Sequence, residues 1–209
     1  MKKLLIATLI TFKTFAADVG LNPDFLNLKV YKVAISQSEY CTNMKTVFSK
    51  DALSASYENF LNAPTIGSGT VDLGTYKCIA IEFEDIIQFA SLSNSDSGNC
   101  SAGVQLNNEI CQGAPGDAIK FIDGTSATCS NGAQKTTMWL STGSTNAAQT
   151  GSPFLPPHAG DTNLGIQLLA PLVVSEGSIA KFVVNALGKI EDNGAQCEMM
   201  QPVFTFENL

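Results

Sequence analysis

Arginine is missing from this chain: all twelve basic residues are lysines. Arginine reads phosphate and carboxylate through a rigid two-pronged fork, whereas lysine offers a point charge. A dedicated phosphate site is therefore not expected. With 19 acids the formal charge is −7, a sign that opposes binding to nucleic acid or anionic lipid. Histidine is almost absent too, since His158 stands alone. A single histidine and the lack of any Cys-x-x-Cys pair leave neither zinc-ligand spacing nor a thioredoxin-type motif, so no metal and no cofactor are expected.

Long apolar runs are also lacking, except at the start. "MKK" followed by "LLIATLITF", Leu4 to Phe12, has the charge and apolar length of a signal peptide, and Thr14 and Ala16 supply the small residues of a cleavage site. Residues 1–16 are predicted to be removed; cutting one residue later would put bulky Phe15 where a small residue is read. The run is too short to cross a hydrocarbon core of ~30 Å. Losing Lys2, Lys3 and Lys13 makes the mature chain, 17–209, more acidic still, and its length fits one domain.

What the chain does have is cysteine. Cys41, Cys78, Cys100, Cys111, Cys129 and Cys197 all lie beyond the cleavage site, an even number in an exported chain, which predicts three disulfides. Cys41 follows the first strand signal and Cys78 begins the next long one, so antiparallel pairing of those strands would join them. Cys100 with Cys111 and Cys129 with Cys197 complete the expected set.

The periodicity is that of strands. "LNLKVYKVAIS", Leu26 to Ser36, alternates and then changes phase, which predicts a bulge near Tyr31-Lys32. In "LGTYKCIAIEFEDIIQF", Leu73 to Phe89, Ile79, Ile81 and Phe83 share one face, and "IIQFASL" continues the strand or forms its neighbour. "TTMWLST" is a further strand with Trp139 in the core, and Asp123-Gly124 marks a hairpin with a two-residue turn. "LGIQLLAPLVV", broken near Pro171, "SIAKFVVNAL" and "QPVFTF" finish the chain. "ALSASYENFL" predicts one short helix.

Many short strands, glycine-rich turns and at most one short helix predict an all-β, antiparallel β-sandwich with long loops. The "GTYKC" corner leading into an alternating strand, the cysteine after the first strand and the strand-rich tail resemble exported bacterial proteins with a prealbumin-like sandwich domain. That resemblance implies an Ig- or prealbumin-like fold and an envelope setting, and no activity.

The chemistry-bearing candidates are few. "GNCSAG" around Cys100 has the small-residue frame of a nucleophile elbow without the strand and helix an elbow needs, so Cys100 is expected to be a half-cystine. Glu82 and Glu84 would share a strand face about 7 Å apart, a spacing that retaining and inverting glycosidases bracket. Alternation makes that the solvent face. "SNSDSGN" and "EDNG" are oxygen-rich without the order of an EF-hand loop. The segment 143–163, "GSTNAAQTGSPFLPPHAGDTN", has no period; its proline-flanked Phe154 and His158 are the expected binding residues, presented by a loop, and the alternative is that the loop folds back to cover a sheet edge. The expected function is non-catalytic: surface binding, adhesion or a structural part of the envelope. The partner class is an envelope or cell-surface protein or a glycan. The alternative is a secreted hydrolase acting on carbohydrate through Glu82, Glu84 or loop acids.

Overall fold

The computed structural model describes residues 18–62, 71–111, 117–147, 151–176 and 180–208. The expected signal peptide, 1–16, lies outside the described residues. Among those described, the chain is all-β and three disulfides join its strands and loops. The strands in order are β1 (Asp18–Leu21), β2 (Pro23–Ser36), β3 (Lys45–Ser49), β4 (Tyr57–Asn59), β5 (Gly74–Tyr76), β6 (Cys78–Glu84), β7 (Ile86–Ser91), β8 (Leu106–Glu109) and β9 (Ala118–Lys120). They continue with β10 (Ser126–Thr128), β11 (Lys135–Ser141), β12 (Ile166–Gln167), β13 (Leu172–Val174), β14 (Ala180–Asn185), β15 (Ile190–Asp192), β16 (Cys197–Met199) and β17 (Val203–Asn208).

One bent ladder organises the molecule. β2 runs antiparallel to β6 from Ser36↔Cys78 to Val30↔Phe83, and then to β7 from Asn27↔Gln88 to Pro23↔Ser91. β6 and β7 thus form one long strand kinked at Asp85. The kink faces the expected bulge: the register of β2 slips between Val30 and Lys32, leaving Tyr31 as the extra residue. A bulge on one strand opposite a corner on the next bends a sheet strongly. β3 and β4 continue the sheet beyond β2, while β11 and β8 flank β6 and β7 on the opposite side. Asp85 stitches the corner through its main chain, donating N–H to Gln134 O (2.9 Å) and accepting from Ile110 N (3.0 Å).

The concave face of this sheet carries the main core. Leu26 and Leu28 before the bulge, Val33 and Ile35 after it, and Ile79, Ile81 and Phe83 all point there, as the alternation predicts. The ribbon β14–β17 supplies Phe182, Val184 and Phe204 from the other side, the phenyl rings of Phe182 and Phe204 stacking at 5.9 Å. The convex face over β6 and β11 is covered as well. Cys41, Cys78, Ala80 and Trp139 form a second cluster, with Ile122 of the β9–β10 connection packed on it.

Three expectations change. The segment expected to be helical forms β4 and a single 3-10 turn, Phe60–Asn62, because Asn27–Lys29 of β2 offer an edge to Tyr57–Asn59. Strand pairing there overrides a modest helix propensity. The Asp123-Gly124 turn has three loop residues: Gly124 donates to Phe121 O, and Phe121 to Thr125 O. Gly124 takes the left-handed φ of 88° that this turn-plus-bulge connection needs. Of the disulfides, Cys41–Cys78 is as expected, whereas the others are Cys100–Cys197 and Cys111–Cys129. Cys100 precedes β8 and meets the tail because Asp192 of β15 gathers the loop around Ser95 and Asn99 beside it.

Candidate functional site

The described parts of segment 143–163, residues 143–147 and 151–163, are anchored, and Phe154 is not exposed. Trp139 N donates to Pro153 O (3.1 Å) and Lys120 N to Phe154 O (3.0 Å), so the loop lies like a short added strand between β11 and β9. Phe154 is 3 % exposed, packed with Ile119 and the Cys111–Cys129 disulfide. Asn146, fully buried, donates Nδ2 to Gly165 O (2.7 Å) and Gly151 O (3.0 Å). A Cβ at Gly151 would sit 1.8 Å from Asn163 O, so only glycine fits that crossing. His158 is exposed and exchanges two main-chain hydrogen bonds with Asp161. The structure therefore does not bring Phe154 and His158 together: one side chain is interior and the other faces water. Non-local hydrogen bonds, invisible to periodicity, turned a loop into a wall.

That wall closes one end of a cavity of about 520 Å³. Leu26, Leu28, Phe83 and Met138 of the large sheet line it on one side, with Met199, Phe204 and Phe60 opposite. Packing defects of protein interiors rarely exceed a water molecule, whereas ligand pockets run to about 300–1,000 Å³. Among the described residues the polar ones on the lining are Asn108, Asp117, Ser152 and Gln201. No position was marked for this in the sequence; the nearest signal is methionine, since Met138, Met199 and Met200 line the cavity and the whole chain has five. Methionine side chains adapt to irregular shapes.

Glu82 and Glu84 line a second cavity of about 430 Å³ with Tyr31, Lys32, Lys50 and Lys135. Glu82 is not on a solvent face; it is 1 % exposed, because the β9–β10 hairpin folds over it. Ile122 N donates to its Oε1 (2.9 Å), and Lys135 and Lys32 lie 3.4 and 3.6 Å from Oε2. A buried carboxylate is costly unless paired and hydrogen-bonded, and here it is both. Glu84 accepts from Lys29 Nζ (2.8 Å) and Tyr31 OH (2.9 Å), with Tyr57 OH 3.3 Å away. Burial pushes the Glu84 carboxyl up, but the Lys29 and tyrosine contacts outweigh it and hold the group below the usual carboxylate range. Burial and the Glu84 charge in turn push the Tyr57 phenol up to about 12. Glycosidic general acids need the opposite shift, a carboxyl that stays protonated near neutrality.

The two oxygen-rich loops do meet, around Asp192. Its carboxylate accepts from Asn99 Nδ2 (2.9 Å), Asn99 N (3.1 Å), Gly194 N (2.9 Å) and Ser95 Oγ. Burial opposes the charge, yet these donors hold the carboxyl far below its ordinary value. Donors converge on this carboxylate, leaving it engaged by protein N–H and O–H groups rather than turned to a cation. Among the described residues no three His, Cys, Asp or Glu side chains cluster as a metal site would require. Cys100 is bonded to Cys197, which removes it as a nucleophile. Among the described residues no helix is long and apolar enough to cross a membrane.

No family model, curated protein or solved structure matches this chain.

Proposed function

We propose that the chain is an exported, non-catalytic binding protein of the cell envelope or its exterior, and that its recognition site is the apolar cavity between the bent sheet and the β16–β17 segment. The observation that carries this reading is the cavity itself, of ligand size, walled by apolar side chains and fringed by a few polar ones. Export rests on the signal-peptide pattern of residues 1–16 and fits the oxidising surroundings that three intramolecular disulfides imply. The prealbumin-like resemblance of the "GTYKC" corner agrees with an envelope setting. Recognition moves from an exposed loop to an interior that the same loop closes through Phe154.

The test is titration of the mature, oxidised protein with the neutral fluorophore N-phenyl-1-naphthylamine. Saturable enhancement is expected, with a rise in unfolding temperature on mass-action grounds. Met199→Trp, which fills the cavity, should abolish the enhancement while circular dichroism stays that of the parent. Equal enhancement in parent and variant would place the dye elsewhere and refute the reading.

A second reading, a secreted carbohydrate hydrolase, is favoured only by the shared cavity of Glu82 and Glu84. It requires glycosidase activity that Glu84→Gln abolishes.

A further inference from the structure

The cavity's lining distinguishes one end of a ligand from the rest of it. The apolar walls leave room for about fifteen to twenty non-hydrogen atoms, taking ~30 Å³ for each as in liquid water. Asn108, Ser152 and Gln201 are half-buried amide and hydroxyl groups that can both donate and accept. Gln201 is oriented by Asn146, whose carbonyl lies 3.5 Å from Gln201 Nε2. Among the described residues the single charged one on the lining is Asp117, which is exposed. Among the described residues no lysine lines the cavity, in a chain whose formal charge is −7.

We propose that the cavity takes an uncharged amphiphile, an apolar body ending in a hydroxyl or amide, and selects against the corresponding carboxylate. The inference rests on the binding reading above and adds the chemical class. A carboxylate end would enter without a cation to meet it and with Asp117 opposing it; burying such a charge unpaired is strongly unfavourable. An ammonium end would find only a solvated partner in Asp117, and exposed ion pairs contribute little. A hydroxyl or amide end can hydrogen-bond to the Asn108, Ser152 and Gln201 groups with no charge to desolvate. The three methionines make the body of the site tolerant of shape, so discrimination falls on the polar end.

The experiment displaces N-phenyl-1-naphthylamine from the mature, oxidised protein at pH 8 with dodecanol, dodecanoate and dodecylammonium, which share one chain length. Dodecanol is expected to compete about tenfold or more better than either ion, the separation that a modest free-energy difference produces. Asp117→Lys should bring dodecanoate to within about threefold of dodecanol, because a repulsion is removed and an opposite charge then stands at the ligand's end. Equal competition by dodecanoate in the parent, best competition by the cation, or no response of dodecanoate to Asp117→Lys each overturns the assigned class while leaving the cavity as the site. Failure of the dye to bind the parent at all overturns the cavity reading, and this proposal with it.

Discussion

Alanine at Phe154 removes a ring that is 3 % exposed and packed on Ile119 and the Cys111–Cys129 bond. Truncating a buried phenylalanine costs about 3–5 kcal/mol. One side of the ring borders the cavity instead of packed atoms. Fewer contacts are therefore lost, and the expected cost sits near the lower end, about 3 kcal/mol. In a chain of this length that shifts the thermal midpoint down by about 6–12 °C. Urea unfolding with the disulfides intact, followed by the fluorescence of Trp139, the single and buried tryptophan, reads the change directly. The midpoint should fall with the slope unaltered. His158→Ala, at an exposed position, is the control and should stay within about 0.5 kcal/mol of the parent. If Phe154→Ala also stays within about 0.5 kcal/mol, the ring is a surface group. The anchored-loop picture is then wrong.

Non-reducing peptide mapping should recover Cys100 joined to Cys197 and Cys111 to Cys129; a Cys100–Cys111 peptide would contradict the placement of the tail. Replacing Cys100 and Cys197 together by alanine should cost about 4–5 kcal/mol on the chain-entropy model, given their sequence separation of 97. Asp85 is fully buried, with Oδ1 accepting from Gln134 N (2.8 Å), and burial, with Glu109 nearby, pushes its carboxyl up. A carboxyl raised on folding favours the folded state below its unfolded pKa of ~3.9, and that contribution is lost as pH rises through the folded value. Asp85→Asn should therefore gain on the parent as pH is raised from 3 to 7. A gain that shrinks over that range would refute the assigned shift. Glu84 and Asp192, both lowered, work the other way: their stabilisation is present above the unfolded pKa and goes as pH falls through the folded values. Acid unfolding of the parent should accordingly begin below about pH 4.

Local pattern carried the bent ladder. The phase change at Tyr31, the shared face of Ile79, Ile81 and Phe83, and the core position of Trp139 follow from side-chain alternation. Cys41–Cys78 followed from two strand ends meeting. Alternation put Glu82 on the solvent face, and there it failed, since the side chain is 1 % exposed. It could not tell that Ile122, forty positions downstream, would close over that face. The expected exposure of Phe154 fails for the same reason, while the alternative of a loop covering a sheet edge holds, through hydrogen bonds from Lys120 and Trp139. The cavity draws its walls from strands scattered between Leu26 and Phe204. Such a site is a property of assembled side chains, and no short motif announces it.

The span of the three disulfides sets an order for a chain that meets oxidising surroundings amino end first. Cys41 and Cys78 are separated by 37 positions, and Cys111 and Cys129 by 18, so each pair can close while later residues are still arriving. Cys100 must wait for Cys197, 97 positions later. During that wait its nearest sulfur is Cys111, and short loops close more readily than long ones. Premature oxidation therefore favours a Cys100–Cys111 mispair that strands Cys129 and Cys197. Reaching the final connectivity from there needs a thiol to reopen the mispair, because disulfides rearrange by thiolate attack on an existing bond. Yield of the correctly paired protein should then depend on an isomerising partner or a thiol buffer more than on oxidising power.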